Sequence, residues 1–201
     1  GFYGSGADSD KGLLPYSSFT NTGCGDGSNA FTFESGKQFN EANAPYYSGS
    51  AYTKYNATDG KTTLEASDDV ASIILGGTWR MPTKDEIKAM KEATYWAWDA
   101  TDKGYYVYAP NPATDAGKVN NGTGTYNKAD ALLFFPAASN HGTENGPFYS
   151  VGQYCMWRSS TSRSSDNASY FFGAFRNWHL EFDLGASTYR FYGIPIRPVA
   201  D

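Results

Sequence analysis

Apolar and polar positions alternate with two different periods along this chain, and each period predicts its own elements. Ser67-Asp68-Asp69-Val70-Ala71-Ser72-Ile73-Ile74-Leu75 places an apolar run behind a capping Ser67 and two carboxylates. Acidic residues at a helix start oppose the positive end of its dipole, and Gly76-Gly77 supplies a stop, so a first helix is expected here. A second is expected after Pro82. There Thr83-Lys84-Asp85-Glu86 reads as a capping box, the Thr83 hydroxyl capping an amide three residues on while Glu86 reaches back. Ile87, Met90 and Ala93 would form its buried stripe.

Beyond Tyr95 the spacing turns β-like. Tyr105-Tyr106-Val107-Tyr108 and Ala131-Leu132-Leu133-Phe134-Phe135-Pro136 are predicted strands, and Pro110 to Lys128 between them is loop by composition. From Tyr149 to Val199 aromatic and polar residues alternate in short runs. Residues 1 to 50 carry Gly, Ser and Asn clusters such as Gly23-Cys24-Gly25-Asp26-Gly27-Ser28 and no helical period. They are expected to form a loop-rich wrap of the same domain, with the main domain spanning 51–201.

Composition narrows the class. Aromatic residues make up 17% of the 201 residues and charged residues only 18%, with 22 Gly. Disordered chains are poor in aromatics, so a β- and loop-rich globule is expected. The 16 Lys and Arg fall short of the 21 Asp and Glu, leaving a net charge of −5. Nucleic acid is therefore not an expected partner, because a polyanion binder carries a basic excess. No apolar run approaches the roughly 20 residues that span a bilayer, so no transmembrane segment is expected. Gly1-Phe2-Tyr3-Gly4 lacks a basic, then apolar, leader pattern; either no signal peptide was present or the chain is a mature product. Cys24 and Cys155 match no zinc or redox spacing, and both one disulfide and two thiols remain open.

Catalytic chemistry finds little support in the residue pattern. The two histidines, His141 and His179, belong to no nucleophile elbow and no zinc-protease helix, and His141 sits in a turn-like Ser-Asn-His-Gly-Thr stretch. Asp68 with Asp69, Glu144, and Glu181 with Asp183 offer carboxylates, which leaves a glycoside-hydrolase-like enzyme as a distant alternative. Neither cofactor nor metal is expected, since the EF-hand spacing and the acidic triplets of calcium-dependent lectins are missing.

A set of phrases carries a resemblance over roughly residues 50–199. In order they are Tyr52-Thr53-Lys54-Tyr55, Lys61-Thr62-Thr63-Leu64-Glu65, Asp68-Asp69-Val70-Ala71, Gly76-Gly77-Thr78-Trp79-Arg80-Met81-Pro82-Thr83 with Glu86, Leu133-Phe134-Phe135-Pro136-Ala137-Ala138, Trp157, Ser159-Ser160, and Arg190 through Val199 ending Ile196-Arg197-Pro198-Val199. Together they resemble the Fibrobacter succinogenes major paralogous domain family (FISUMP), common in secreted proteins of gut Bacteroidetes. The resemblance implies an α+β, C-type-lectin-like fold with two helices packed on a twisted, mostly antiparallel sheet with long loops. Related formylglycine-generating enzymes use neighbouring cysteines, which Cys24 and Cys155 do not reproduce. Within this frame Trp79 and Pro82 are expected to fix a strand-to-helix entry. Arg80 and Arg197 are expected to be buried or half-buried structural ties, since a guanidinium offers five donors in a planar fork.

The last fifty residues also resemble the variable regions of proteins of diversity-generating retroelements, where a C-type-lectin-like scaffold displays altered surface positions. Here Arg158 stands where relatives carry Ser, and Gly173-Ala174-Phe175-Arg176-Asn177-Trp178-His179-Leu180 replaces an Asn-rich run. Trp157 and Phe175 are expected in the core. Arg158, Arg163, Phe172, Arg176, Trp178, His179 and Tyr189 are the candidate ligand-binding residues, because Trp, Tyr and Arg give large contact area and directional donors. The expected function is non-catalytic binding of a glycan or protein ligand at a cell surface, by a secreted or surface-exposed bacterial adhesion domain. The alternative is a receptor-binding variable protein, bacterial or carried on a phage particle.

Overall fold

The computed structural model describes residues 46–138, 152–162, 189–190 and 192–201 with their side chains, and the backbone of 2–3, 13–14, 32–33, 37–38, 140–141, 148–149, 168–175 and 187–188. The architecture is mixed α+β. Among the described residues of the first 50, four two-residue strands pair up: β1 (Phe2–Tyr3) with β2 (Leu13–Leu14), and β3 (Thr32–Phe33) with β4 (Lys37–Gln38). The rest of the expected wrap, up to residue 45, lies outside the described residues.

The first helix, α1 (Val70–Leu75), is capped by Asp69 and not by Ser67. One Asp69 oxygen accepts from the amides of Ala71 and Ser72 at 2.9 and 3.1 Å, and the other accepts from Met81 N–H at 2.8 Å. A hydroxyl cannot serve both directions, whereas a carboxylate with two oxygens can. Asp68, expected in the first helical turn, instead faces Lys54. Gly76 and Gly77, both at positive φ, end the helix as expected.

Strand β5 (Trp79–Arg80) leads through buried Pro82 into α2 (Lys84–Ala93). The capping box forms: Thr83 Oγ1 accepts from Glu86 N–H at 3.2 Å, and Thr83 N–H donates to the Glu86 carboxylate at 2.8 Å. Ile87 is buried and Met90 half-buried, but Ala93 is exposed because α2 ends there and the chain turns into β6 (Tyr95–Asp99). Trp79 also departs from expectation: its side chain is 44% exposed, so Pro82 and the Thr83 cap, without Trp79, fix the helix entry.

Strands β6, β7 (Gly104–Tyr108) and β8 (Leu133–Pro136) make an antiparallel sheet in that order. Its alternation gives two aromatic faces. On one, Trp96, Tyr105, Val107 and Phe135 are buried together. On the other, Tyr106 lies 4.6 Å from Phe134, and Tyr126 lies 4.2 Å from Tyr95 and 5.2 Å from Tyr108. Tyr126 belongs to the predicted 110–128 loop, which is held by the fully buried Asp115. That carboxylate accepts from the amides of Thr123 and Gly124, the Tyr126 hydroxyl and Lys118 Nζ. Burial alone would raise its pKa, but these donors outweigh it and hold the group well below the ordinary carboxylate range.

Strands β9 (Asn140–His141) and β10 (Phe148–Tyr149) form a short pair, placing His141 in a ladder where a solvated turn was expected. The long strand β11 (Tyr154–Ser162) pairs with β12 (Ala168–Phe175), which pairs with β13 (Ser187–Tyr189). Trp157 and Cys155 turn inward onto the first sheet, with Trp157 5.3 Å edge-on from Phe135. Cys155 is a free, buried thiol, so the disulfide alternative does not hold. Trp157 Nε1 donates to its sulfur at 3.1 Å, and burial pushes the thiol pKa up to about 12.

Finally β14 (Val199–Ala200) pairs antiparallel with β5. Arg80 bridges Glu86 at 2.6 Å and Asp201 at 2.5 Å, the half-buried carboxylate tie foreseen for it. Arg197, also half-buried, donates to the Phe134 carbonyl at 3.4 Å. Among the described residues no helix is long and apolar enough to cross a membrane.

Candidate functional site

An irregularity in β11 creates the candidate site. Arg158 pairs with Phe171 and Ser162 with Ser169, so four steps on β11 match two on β12. Such a bulge frees backbone groups and bends the strand. Neighbouring segments take up the freed groups: Ser160 N–H donates to the Pro82 carbonyl at 2.8 Å, Leu64 N–H to Ser160 O at 3.0 Å, and Ser162 N–H to Thr62 O at 2.7 Å. The 62–64 segment is thereby pinned along one edge of β11. Between the two runs a cleft of about 410 Å³, bordered by Tyr46, Tyr55, Ser67, Asp68, Arg158 and Arg190, with the Ser159–Ser162 run along its floor.

One wall is a charge and hydroxyl cluster. Asp68 accepts from Lys54 Nζ at 2.5 Å and from the hydroxyls of Tyr46 and Tyr55. Burial opposes its charge, yet these donors prevail and bring its pKa down to about 2. The Lys54 ammonium lies 5.0 Å from the ring centroids of both Tyr46 and Tyr55, within cation–π range. Lys54 also bridges Glu65 at 2.6 Å.

The opposite wall carries two guanidiniums. Arg158 Nη2 donates to the Tyr192 and Tyr189 carbonyls at 2.8 and 3.3 Å. Burial, with nearby Arg190 adding to it, draws the Arg158 pKa down to about 10, which still leaves it charged at neutral pH. Arg190 stacks 4.4 Å from the Tyr52 ring and donates to the carbonyls of Lys54 and Tyr55 and to Ser162 Oγ. It thus fastens the turn after β13 to the Tyr52–Tyr55 phrase. Tyr189, 48% exposed, stands beside this fastening with its ring 5.4 Å from Tyr192.

Of the seven expected binding residues, Arg158 borders this cleft, and Tyr189, whose carbonyl Arg158 Nη2 reaches at 3.3 Å, stands beside Arg158 without lining it. Arg158 is a correction in environment: it is half-buried and tied to carbonyls, where open surface was expected, because the β13 turn folds over its head group. Phe172 sits in β12 opposite Trp157. Arg163, Arg176, Trp178 and His179 lie outside the described residues. Sequence reasoning missed Tyr46, Tyr55, Ser67, Asp68 and Arg190 as cleft residues. Their one sequence signal is that Tyr52–Tyr55 and Arg190–Val199 stand at opposite ends of the recognisable phrases.

No family model, curated protein or solved structure matches this chain. Chemistry must therefore be read from the residues. The cleft offers hydroxyl groups, guanidinium donors and aromatic rims. Its carboxylate, Asp68, is saturated by an ammonium and two phenols, and neighbouring Asp69 spends both oxygens on backbone amides. These two acids are thus structural, not the paired carboxylates of a hydrolase. Among the described residues no three His, Cys, Asp or Glu side chains are grouped to hold a metal ion.

Proposed function

We propose that this chain is a non-catalytic recognition domain of a secreted or surface-exposed bacterial protein. Its fold is read as C-type-lectin-like and related to the FISUMP family, and its ligand as a glycan or protein at a cell surface. The observation that carries this reading is the cleft at the β11 bulge, where Arg158 and Arg190 adjoin a run of hydroxyls bordered by Tyr46 and Tyr55. Planar rings present apolar faces to sugar rings or peptide side chains, while hydroxyls and guanidiniums fix orientation. A volume of about 410 Å³ lies within the range of small-ligand pockets.

A combined glycan and protein array probed with the purified domain tests this. Ser67→Trp fills the cleft from an exposed position, and Tyr46→Ala removes a bordering ring. Both are expected to abolish or strongly weaken binding, whereas an Arg176→Ala/Trp178→Ala double variant asks whether the contact extends along the C-terminal segment. Undiminished binding by Ser67→Trp overturns the cleft assignment. The non-repeating aromatic and polar phrases between Trp157 and Tyr189 favour a second reading, a retroelement-diversified receptor-binding protein. A reverse transcriptase gene beside a near-copy of the coding sequence for this segment, differing at adenines, decides for it.

A further inference from the structure

A second concavity lies on a different part of the molecule, between α2, β8 and the strap leading into β14. Its volume is about 220 Å³, and its walls are chiefly the side chains of Ile87, Met90, Leu133, Phe135 and Val199. Into it faces one cation, Arg197. Among the described residues Arg197 makes a single hydrogen bond, to Phe134 O, at 3.4 Å, near the outer limit for such a contact. Its guanidinium carbon lies 5.5 Å from the Phe135 ring centroid. Among the described residues no ion pair engages it. The carboxylate that borders the same groove, Glu86, gives both oxygens to Arg80, at 2.6 and 2.8 Å, and is further held by Thr83. Arg197 therefore keeps most of its five donors uncommitted while its ring-facing side is already desolvated.

A guanidinium at the rim of an apolar groove matches a molecule that is anionic at one end and apolar at the other. The planar fork accepts a carboxylate through two parallel hydrogen bonds, and charge-assisted bonds of this kind are about twice as strong as neutral ones. The volume equals that of about seven water molecules, at about 30 Å³ each, which suits a compact body the size of one aromatic ring. We propose that this groove binds a small monocarboxylate with an aromatic or branched aliphatic body, its carboxylate on Arg197 and its body against Ile87, Met90, Leu133 and Phe135. This site is separate from the cleft at β11, and the proposal does not depend on the function assigned there.

Phenylacetate is the probe. It is titrated into isotopically labelled domain while the Arg197 Nε–H, Met90 methyl and Val199 methyl resonances are followed. Saturable shifts centred on these groups are expected. Phenylacetamide, which keeps the ring and loses the charge, and acetate, which keeps the charge and loses the ring, should each bind at least about tenfold more weakly. Arg197→Gln should remove the preference for phenylacetate over phenylacetamide. Met90→Trp, which fills the groove and leaves Arg197 in place, should abolish the shifts with the fold intact by near-ultraviolet circular dichroism. Equal binding of phenylacetate and phenylacetamide, shifts centred elsewhere, undiminished binding in Met90→Trp, or no saturable shift at millimolar phenylacetate each overturns the proposal.

Discussion

Asp69 should prove one of the most sensitive positions in the chain, although it touches no ligand cleft. Its side chain is 3% exposed, and its oxygens accept from three backbone amides: Ala71 and Ser72 at the start of α1, and Met81 just past β5. Asp69→Ala removes all three hydrogen bonds. Loss of an N-cap costs about 1 kcal/mol. The Met81 amide, stranded in a buried setting, adds a desolvation penalty of about 1–3 kcal/mol. The total expected is about 2–4 kcal/mol, which for a urea slope of about 2 kcal/mol/M lowers the unfolding midpoint by about 1–2 M. Asp69→Asn separates the two contributions. Its remaining carbonyl oxygen can still cap α1, but its NH2 group then points a donor at the Met81 donor, so the loss should be intermediate. Urea unfolding followed by tryptophan fluorescence measures all three proteins. A loss under about 1 kcal/mol in Asp69→Ala, or equal losses in the Ala and Asn variants, refutes the account of Asp69 as a two-way tie.

Phe135→Ala, emptying a ring that touches both Trp96 and Trp157, is expected to cost about 3–5 kcal/mol in the same assay. Cys155 should resist thiol reagents in the folded protein and react at once in denaturant, since burial pushes its pKa up to about 12; labelling that is complete before unfolding refutes this. Asp68, with a folded pKa of about 2 against an ordinary value of 3.8, contributes about 2 kcal/mol that is fully present above the ordinary value and is lost as pH falls toward 2. Asp68→Asn should therefore flatten the stability profile between pH 5 and pH 2 by about that amount, as read from denaturation at each pH. Gly104→Ala places a Cβ 2.5 Å from the Phe135 carbonyl and against the Phe134 ring, so β8 must shift; a stability loss of about 1–3 kcal/mol or more is expected from calorimetry.

The helices and two of the three strands of the first sheet were legible because their signals are local. The Thr83–Glu86 capping box needs only four adjacent residues, and the Tyr105–Tyr108 and Leu133–Pro136 strands announce themselves by aromatic and branched side chains. What escaped was settled by partners distant in sequence. Ser67 and Asp69 are both good caps on propensity; Met81, twelve residues on, decided for Asp69 by occupying its second oxygen. Trp79 read as an anchor because large rings usually bury, yet pairing with Ala200 turns it outward. The cleft was hidden for the same reason. Its walls come from residues 46–68, 158–162 and 190, and the β11 bulge that opens it has no signature in the Arg158-Ser159-Ser160-Thr161-Ser162 string itself. Arg158 was recognised as noteworthy, but its tie to Tyr189 and Tyr192 depends on a turn more than thirty positions away.

The union of β5 with β14 has a consequence for biosynthesis. Arg80 and Asp201 are 121 positions apart, so a ribosome delivers the Trp79–Arg80 strand long before its mate exists. Closing so large a loop is slow compared with forming a capped helix. Until then the apolar side of α1, which borders Ile196 and Pro198 in the finished fold, remains uncovered on the nascent chain, a natural landing place for chaperones. The pairing can form only once Val199 and Ala200 have been made, more than a hundred positions after the stretch onto which they zip.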